Sequence, residues 1–475
     1  MSSNRIVVRG GQVVTPAGVL DADVLIEGQQ IVGVVERGMD AWADAQVIDA
    51  RGCYVFPGLV DVHTHIQLDT GIYKTADNWE IGTRTAAFGG VTTVVDFATQ
   101  FPGMTFEEAL AARLKECGPA FIDYGLHMMV TDLPDDPSEA RRWLVNLRDS
   151  GLPSIKLYTT YRPNYYADDA TLLHTFRSMP RDMLAMVHCE NDAIVTDATA
   201  RLVAAGNTSW AYHGAGRPPE AEVEAIRRVM YLAKIAGAAL YIVHCSTTES
   251  IRQVARAHAT GNTPPVYCET CPQYFWLDDS CYHAPNAEFR ILQPPLRPEA
   301  WLVDLLDAAP TLSAISTDHC DYTLAQKREF KDFTKTPGGL PGLETSFALT
   351  YTCGIHLACE RQDQDEAVAP LALTELARLM SSEPSRLFGL YPHKGAILPG
   401  SDADLMIYDP EPEITIHAEN LHAISGYTPY EGLTVKGQVR TVISRGITVV
   451  KDGAFYSDPG RGQFIRRKPF APLLR

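Results

Sequence analysis

Five apolar, strand-like runs in this chain close on, or contain, a side chain able to bind a metal, and a single fold has to account for all five. The run 54–60 leads into Asp61-Val62-His63-Thr64-His65. Alternate side chains of an extended strand share a face, so His63 and His65 present two imidazoles to one ion. The run 153–158 holds Lys156 among β-branched and aromatic residues, and a buried ammonium is costly unless it loses its charge or finds a partner. Runs 183–187 and 239–243 are followed by His188 and His244, and run 312–317 by Asp318. Any one of these taken alone reads as a structural hydrogen-bonding group. Five in order point to one site.

Helical stretches at 79–88, 105–117, 138–149, 221–235 and 248–259 alternate with the buried runs, as periodicity near 3.6 followed by a short continuous apolar segment requires. Repeated βα units predict an α/β fold, a (β/α)8 TIM-like barrel whose reactive groups stand at the C-terminal strand ends. An open doubly wound sheet is the alternative, but no GxGxxG follows the first strand. At 475 residues the chain exceeds what one core usually supports. Short alternating pieces before residue 55 and after about 390 predict a small β-sandwich domain built from both ends. The expected division is therefore 1–55 and 389–455 for the β-sandwich, 56–388 for the barrel, and 456–475 for a tail available for an oligomer contact. Loops 162–169 and 206–219 are the expected mobile covers.

Acidic residues outnumber basic ones, 58 to 41, for a net charge of −17. This balance argues against nucleic acid or anionic membrane partners, and no apolar stretch reaches the roughly 20 residues of a spanning helix. Ten cysteines and no signal-peptide pattern fit a cytoplasmic protein. Cys268 and Cys271 form a CxxC with no second copy and read as reduced thiols, as do Cys189 and Cys245 beside the two histidines.

Four histidines, a lysine and an aspartate are too many for one tetrahedral zinc and suit two divalent ions sharing a bridging oxygen ligand. Zinc, manganese and cobalt all accept these donors. An ammonium cannot bridge metals, but Lys156 combined with carbon dioxide becomes an anionic carbamate that can. A hydroxide held between the ions would attack an electrophilic carbonyl or phosphoryl centre, with Asp318 moving its proton to the leaving group.

The order HxH, Lys, His, His, Asp resembles the amidohydrolase superfamily. Segments 217–220 (RPPE), 269–274 (ETCPQY), 316–320 (STDHC) and 400–405 (GSDADL) resemble its cyclic amidohydrolase branch of hydantoinases and dihydropyrimidinases. The resemblance covers nearly the whole chain. It implies that His63, His65 and Asp318 hold the more buried metal, that His188 and His244 hold the second, and that carboxylated Lys156 bridges them. It also implies that Tyr161 polarises the scissile carbonyl of a small cyclic amide, and that the protein is a homotetramer. Two substrate-binding positions depart from the pattern: Gln293 stands where serine is common and Gly338 where asparagine is common. The expected activity is opening of a hydantoin or dihydropyrimidine ring by metal-bridged hydroxide. Allantoin and cyclic imides are alternatives, dihydroorotate is disfavoured by the missing arginine after His65, and a non-catalytic collapsin-response-mediator-like scaffold is disfavoured by the complete ligand set.

Overall fold

The protein is described by a computed structural model covering residues 5–39, 42, 44–261, 264–363 and 370–473. The outer ends of the spans 1–55 and 456–475, and residues 364–369 within 56–388, lie outside the described residues. Eight parallel strands follow one another in sequence order around the centre: β1 (Leu59–Asp61), β2 (Val91–Thr99), β3 (Asp123–Met129), β4 (Ser154–Tyr158), β5 (Leu184–His188), β6 (Ala239–Ile242), β7 (Val266–Thr270) and β8 (Ala314–Ile315). Just beyond β8 and β1, His319 pairs in parallel with Thr64, and the His65 N–H donates to the His319 carbonyl at 2.7 Å. That bridge closes the barrel.

Both strand faces are covered, so the strands read as continuous apolar runs with no alternation. The alternation reappears in what each residue touches. Leu184 and Met186 of β5 pack in the barrel interior with Val95, Phe97, Tyr241 and Tyr267, whereas Ala185 and Val187 pack outward against the helical layer. The helices begin where caps stand. Asn78 caps Trp79–Phe88, Thr105 and Glu108 form a reciprocal capping box on Phe106–Glu116, Asp136 caps Pro137–Asp149, and Thr247 caps Thr248–Ala259. Each such cap stabilises its helix by about 1 kcal/mol. Gly237, at φ +71°, ends Pro219–Ala236 in the left-handed conformation.

Strands from both chain ends form a second, ten-stranded sheet. The long strand Gly18–Glu27 belongs to two layers: its first half pairs with Gln12–Thr15 and its second with Arg5–Arg9 and Gln30–Glu36. Ile6, Val24, Ile31, Val55, Leu405 and Ile443 meet in the core between them. Two details differ from expectation. The pieces at 404–408 and 413–417 are one strand, Leu405–Thr415, bulged against Thr434–Ser444. The single apolar run 54–60 is two strands: Tyr54–Pro57 pairs with Leu405–Thr415 in the second sheet, and the chain enters β1 only after Gly58.

The tail is used within the chain. Phe464 bridges to Tyr124, Phe470 is buried, and the buried Arg467 donates to the Leu126 carbonyl and to Ser154 Oγ. Among the described residues no helix is long and apolar enough to cross a membrane.

Candidate metal centre and substrate pocket

Of the six side chains singled out as ligands, five stand at or just beyond C-terminal strand ends, His63 and His65 after β1, His188 at the end of β5, His244 after β6 and Asp318 after β8, and Lys156 stands within β4. Nε2 of His63 and Nε2 of His65 each lie 3.2 Å from Asp318 Oδ1, and one ligand atom from each of the three residues falls within 4.8 Å of the others. Lys156 Nζ is 3.1 Å from His63 Nε2. Nδ1 of His188 faces Nε2 of His244 at 2.9 Å, and the His63 and His244 rings stack at 5.4 Å.

Carboxylates behind the histidines decide which nitrogens point inward. Glu269, at the end of β7, takes the Nδ1–H of His63 and is held by the Tyr241 hydroxyl at 2.8 Å and the His244 N–H at 3.2 Å. Glu190 takes the Nε2–H of His188 at 2.7 Å and is paired with Arg217. With those protons held outward, the lone pairs of His63 Nε2 and His188 Nδ1 face the centre, as metal ligation requires. Asp61 accepts from the Thr317 hydroxyl at 2.7 Å and the His63 N–H at 3.1 Å, binding β1 to the segment that carries Asp318.

Burial sets the charges. It pushes His63 and His244 well below the ordinary imidazole range and His188 below it, so all three are neutral donors near pH 7. Burial also lowers Lys156 to about 8, which makes its free amine accessible. For Asp318 burial acts upward, but its contacts with His63, His65 and Lys156 outweigh it and hold the carboxyl below its usual range. Glu190 is likewise pushed up by burial and brought down to about 2 by Arg217 and His188. Four imidazoles, a deprotonatable amine and an ionised carboxylate form a donor set that fits two divalent ions.

The ligands open into a cavity of about 670 Å³. Tyr161 lines it, with its ring 4.9 Å from that of His188 and the Arg217 guanidinium 5.3 Å from its centroid. Burial holds its phenol protonated. Gln293 and Gly338 line the same cavity. Of the loops expected to act as covers, 162–169 contributes Arg162, Asn164 and Tyr165 to the rim. Segment 206–219 is a fixed wall: Trp210 Nε1 donates to Thr336 Oγ1 at 2.8 Å, and His213 is buried against the Leu292 carbonyl at 2.7 Å.

Seven described non-glycine residues have positive φ, and three of them are His244 (38°), Asp318 (52°) and Tyr161 (76°). Such conformations cost of order 1–3 kcal/mol each and gather where a side chain must be aimed. Sequence reasoning missed Glu269, Glu190 and Asp61. Glu269 carried the same signal as the ligands, a polar residue at the end of a buried run.

The sequence model of the Amidohydrolase family matches residues 54–449. The chain is 36% identical over 476 residues to the D-hydantoinase of Geobacillus stearothermophilus, covering 98% of this chain and 97% of that protein. It is 38% identical over 479 residues to a D-phenylhydantoinase of Escherichia coli O1:K1, covering 98% and 99%. The crystal structure of dihydropyrimidinase from Brevibacillus agri superposes with a TM-score of 0.91 at 35% identity, over 99% of this chain and 100% of that one.

Proposed function

The chain belongs to the amidohydrolase family, and from that premise we propose that it is a binuclear-metal cyclic amidase that opens the C–N bond of a hydantoin or a dihydropyrimidine. The observation that carries this reading is the convergence of His63, His65 and Asp318 on one point, with Lys156 at 3.1 Å from His63, at the base of a cavity that also holds Tyr161. His63, His65 and Asp318 would hold one ion and His188 and His244 the other. Zinc suits this donor set, and manganese and cobalt are accepted by the same ligands. When bound, the ions supply Lewis acidity and an activated water.

The protein's own groups do the rest. The Lys156 amine, freed by its lowered pKa, would add to carbon dioxide with loss of one proton and become an anionic carbamate able to serve as a metal ligand. The Tyr161 phenol, kept protonated by burial, donates to the ring carbonyl and stabilises the oxyanion that forms as water adds. Asp318, held ionised by its contacts with His63, His65 and Lys156, takes the proton of the attacking water and delivers it to the ring nitrogen as the C–N bond breaks. The ten free cysteines accord with a reducing, cytoplasmic setting, and the family resemblance implies a homotetramer, which light scattering would test.

The test is ring opening by protein loaded with zinc and bicarbonate, followed across hydantoin, 5-substituted hydantoins, dihydrouracil, allantoin, dihydroorotate and phthalimide, with Lys156→Ala as control. Rapid opening of hydantoins or dihydrouracil, lost in the control, is expected. Turnover undiminished in Lys156→Ala, or no ring opened by protein carrying two metals, overturns the proposal.

A further inference from the structure

The Gln293 side chain reaches across the cavity wall and lies against Gly338. A Cβ built at Gly338 would overlap the Gln293 carboxamide, its nearest neighbours being Oε1, Cδ and Nε2 in that order. The absence of a side chain at 338 is therefore what lets the amide occupy this place. No described protein group hydrogen-bonds that amide, although both residues line the cavity onto which Lys156, His188, His244, Asp318 and Tyr161 open. An amide with a free donor and a free acceptor, half-buried at a cavity wall, is a recognition group awaiting a complement.

The two segments that carry the pair are fixed in place. Lys327, fully buried, donates to the Ile291 carbonyl at 2.9 Å and to the Pro337 carbonyl at 2.8 Å, and the Gly339 N–H donates to the Ile291 carbonyl at 2.9 Å. Clamping each backbone within two residues of Gln293 and Gly338 holds the carboxamide at a set distance from the metal ligands, which is the preorganisation that selective recognition needs.

We propose that Gln293 is the specificity-determining residue for the ring: its carboxamide pairs with an adjacent N–H and C=O of a cyclic ureide that lie outside the scissile amide. This inference rests on the function proposed above and narrows it. A lactam has no amide edge besides the one being broken, and a cyclic imide offers a second carbonyl without the N–H. A ureide ring supplies both groups side by side. In hydantoin opened at the C4–N3 bond they are C2=O and N1–H, so Nε2 of Gln293 donates to the former and Oε1 accepts from the latter. A site built to hydrogen-bond a substrate N–H discriminates against the analogue that lacks it, because its own polar group is left unpaired.

The experiment compares kcat/KM for hydantoin and 1-methylhydantoin, which lacks the N1–H, in metal-loaded wild type, Gln293→Ala, Gly338→Ala and the double variant. In wild type hydantoin should be preferred by about tenfold or more, the equivalent of one to two hydrogen bonds. Gln293→Ala should bring the ratio close to one, mainly through KM. Gly338→Ala, which forces the amide aside without removing it, should do the same, and the double variant should be no worse than either single one. A hydantoin preference that survives Gln293→Ala, or losses in the two single variants that simply multiply in the double, overturns the inference. Wild type that opens neither ring overturns the proposed function instead.

Discussion

The chemistry of the site turns on Lys156. It is 1% exposed, and its nitrogen is 3.1 Å from a histidine that is itself a candidate ligand; a full ammonium there would repel any divalent ion. Its pKa, lowered to about 8 from 10.5 by burial, has a signed consequence. The amine that adds to carbon dioxide is the deprotonated form, scarce at pH 6 and dominant above pH 8. At a fixed concentration of dissolved carbon dioxide, activation of metal-stripped protein by zinc should therefore quicken about tenfold per pH unit from 6 towards 8 and then level off, as followed by the lag in ring opening; a pH-independent lag under that condition would remove the carbamate from the account. Glu269 acts one step further out. In Glu269→Gln the new amide can present an N–H to His63 Nδ1, favouring the tautomer whose Nε2 carries hydrogen and turns a lone pair away from the centre. Metal affinity should fall roughly 10–100-fold with far-UV circular dichroism unchanged, read as metal retained after dialysis against a graded chelator. The six candidate ligands stood out in the sequence because each breaks an otherwise apolar run. Glu190 and Asp61 did not, since their meaning lies in which distant residue they touch, Arg217 for one and Thr317 for the other.

At the level of elements, the βα rhythm was legible because parallel strands buried on both faces leave continuous apolar runs, and because capped helices leave Asn, Thr and Asp at their starts. What could not be read was the break inside 54–60. Hydrophobicity does not change there, yet Pro57 ends a strand of the second sheet and Leu59 begins the barrel. Gly58 makes the crossing, its N–H donating to the Asp404 carbonyl at 2.8 Å, while its α-carbon presses so closely on Thr92 of β2 that any Cβ would overlap the Thr92 side chain. Thr92 is β-branched and buried, so it cannot swing away. Gly58→Ala should cost about 1–3 kcal/mol by overpacking, seen as a lower urea midpoint at unchanged slope. Thr92→Ala in the same chain should recover part of that loss, since among the described residues the Thr92 hydroxyl has no hydrogen-bond partner to forfeit. If the second change deepens the loss, the close approach is not what makes glycine necessary.

The whole molecule holds together at the end of the barrel opposite the metal ligands, where one buried cation joins the two sheets. Lys394 Nζ lies 2.6 Å from Asp123 at the start of β3, 3.0 Å from Asp402 and 2.8 Å from Asp404, the last two in the segment entering the long strand Leu405–Thr415. Arg445 adds a second contact to Asp123 at 3.0 Å. Burial acts to strip the Lys394 proton, but the three carboxylates outweigh it and raise its pKa above 10.5. A cation whose folded pKa is raised contributes its full stabilisation below the unfolded value and loses it only as pH climbs through the folded one, so in the native protein this contribution is constant from pH 5 to 9. Lys394→Met leaves the aspartates facing one another without their shared partner, and breaking such a buried group should cost about 3–5 kcal/mol. Without the cation the carboxyls bind protons more tightly folded than unfolded, so the variant should lose stability relative to the native protein as pH rises. Its deficit relative to the native protein in denaturant unfolding should therefore be smaller at pH 5 than at pH 8. An equal deficit at both pH values would mean that the lysine holds the sheets together by packing and not by neutralising these carboxylates.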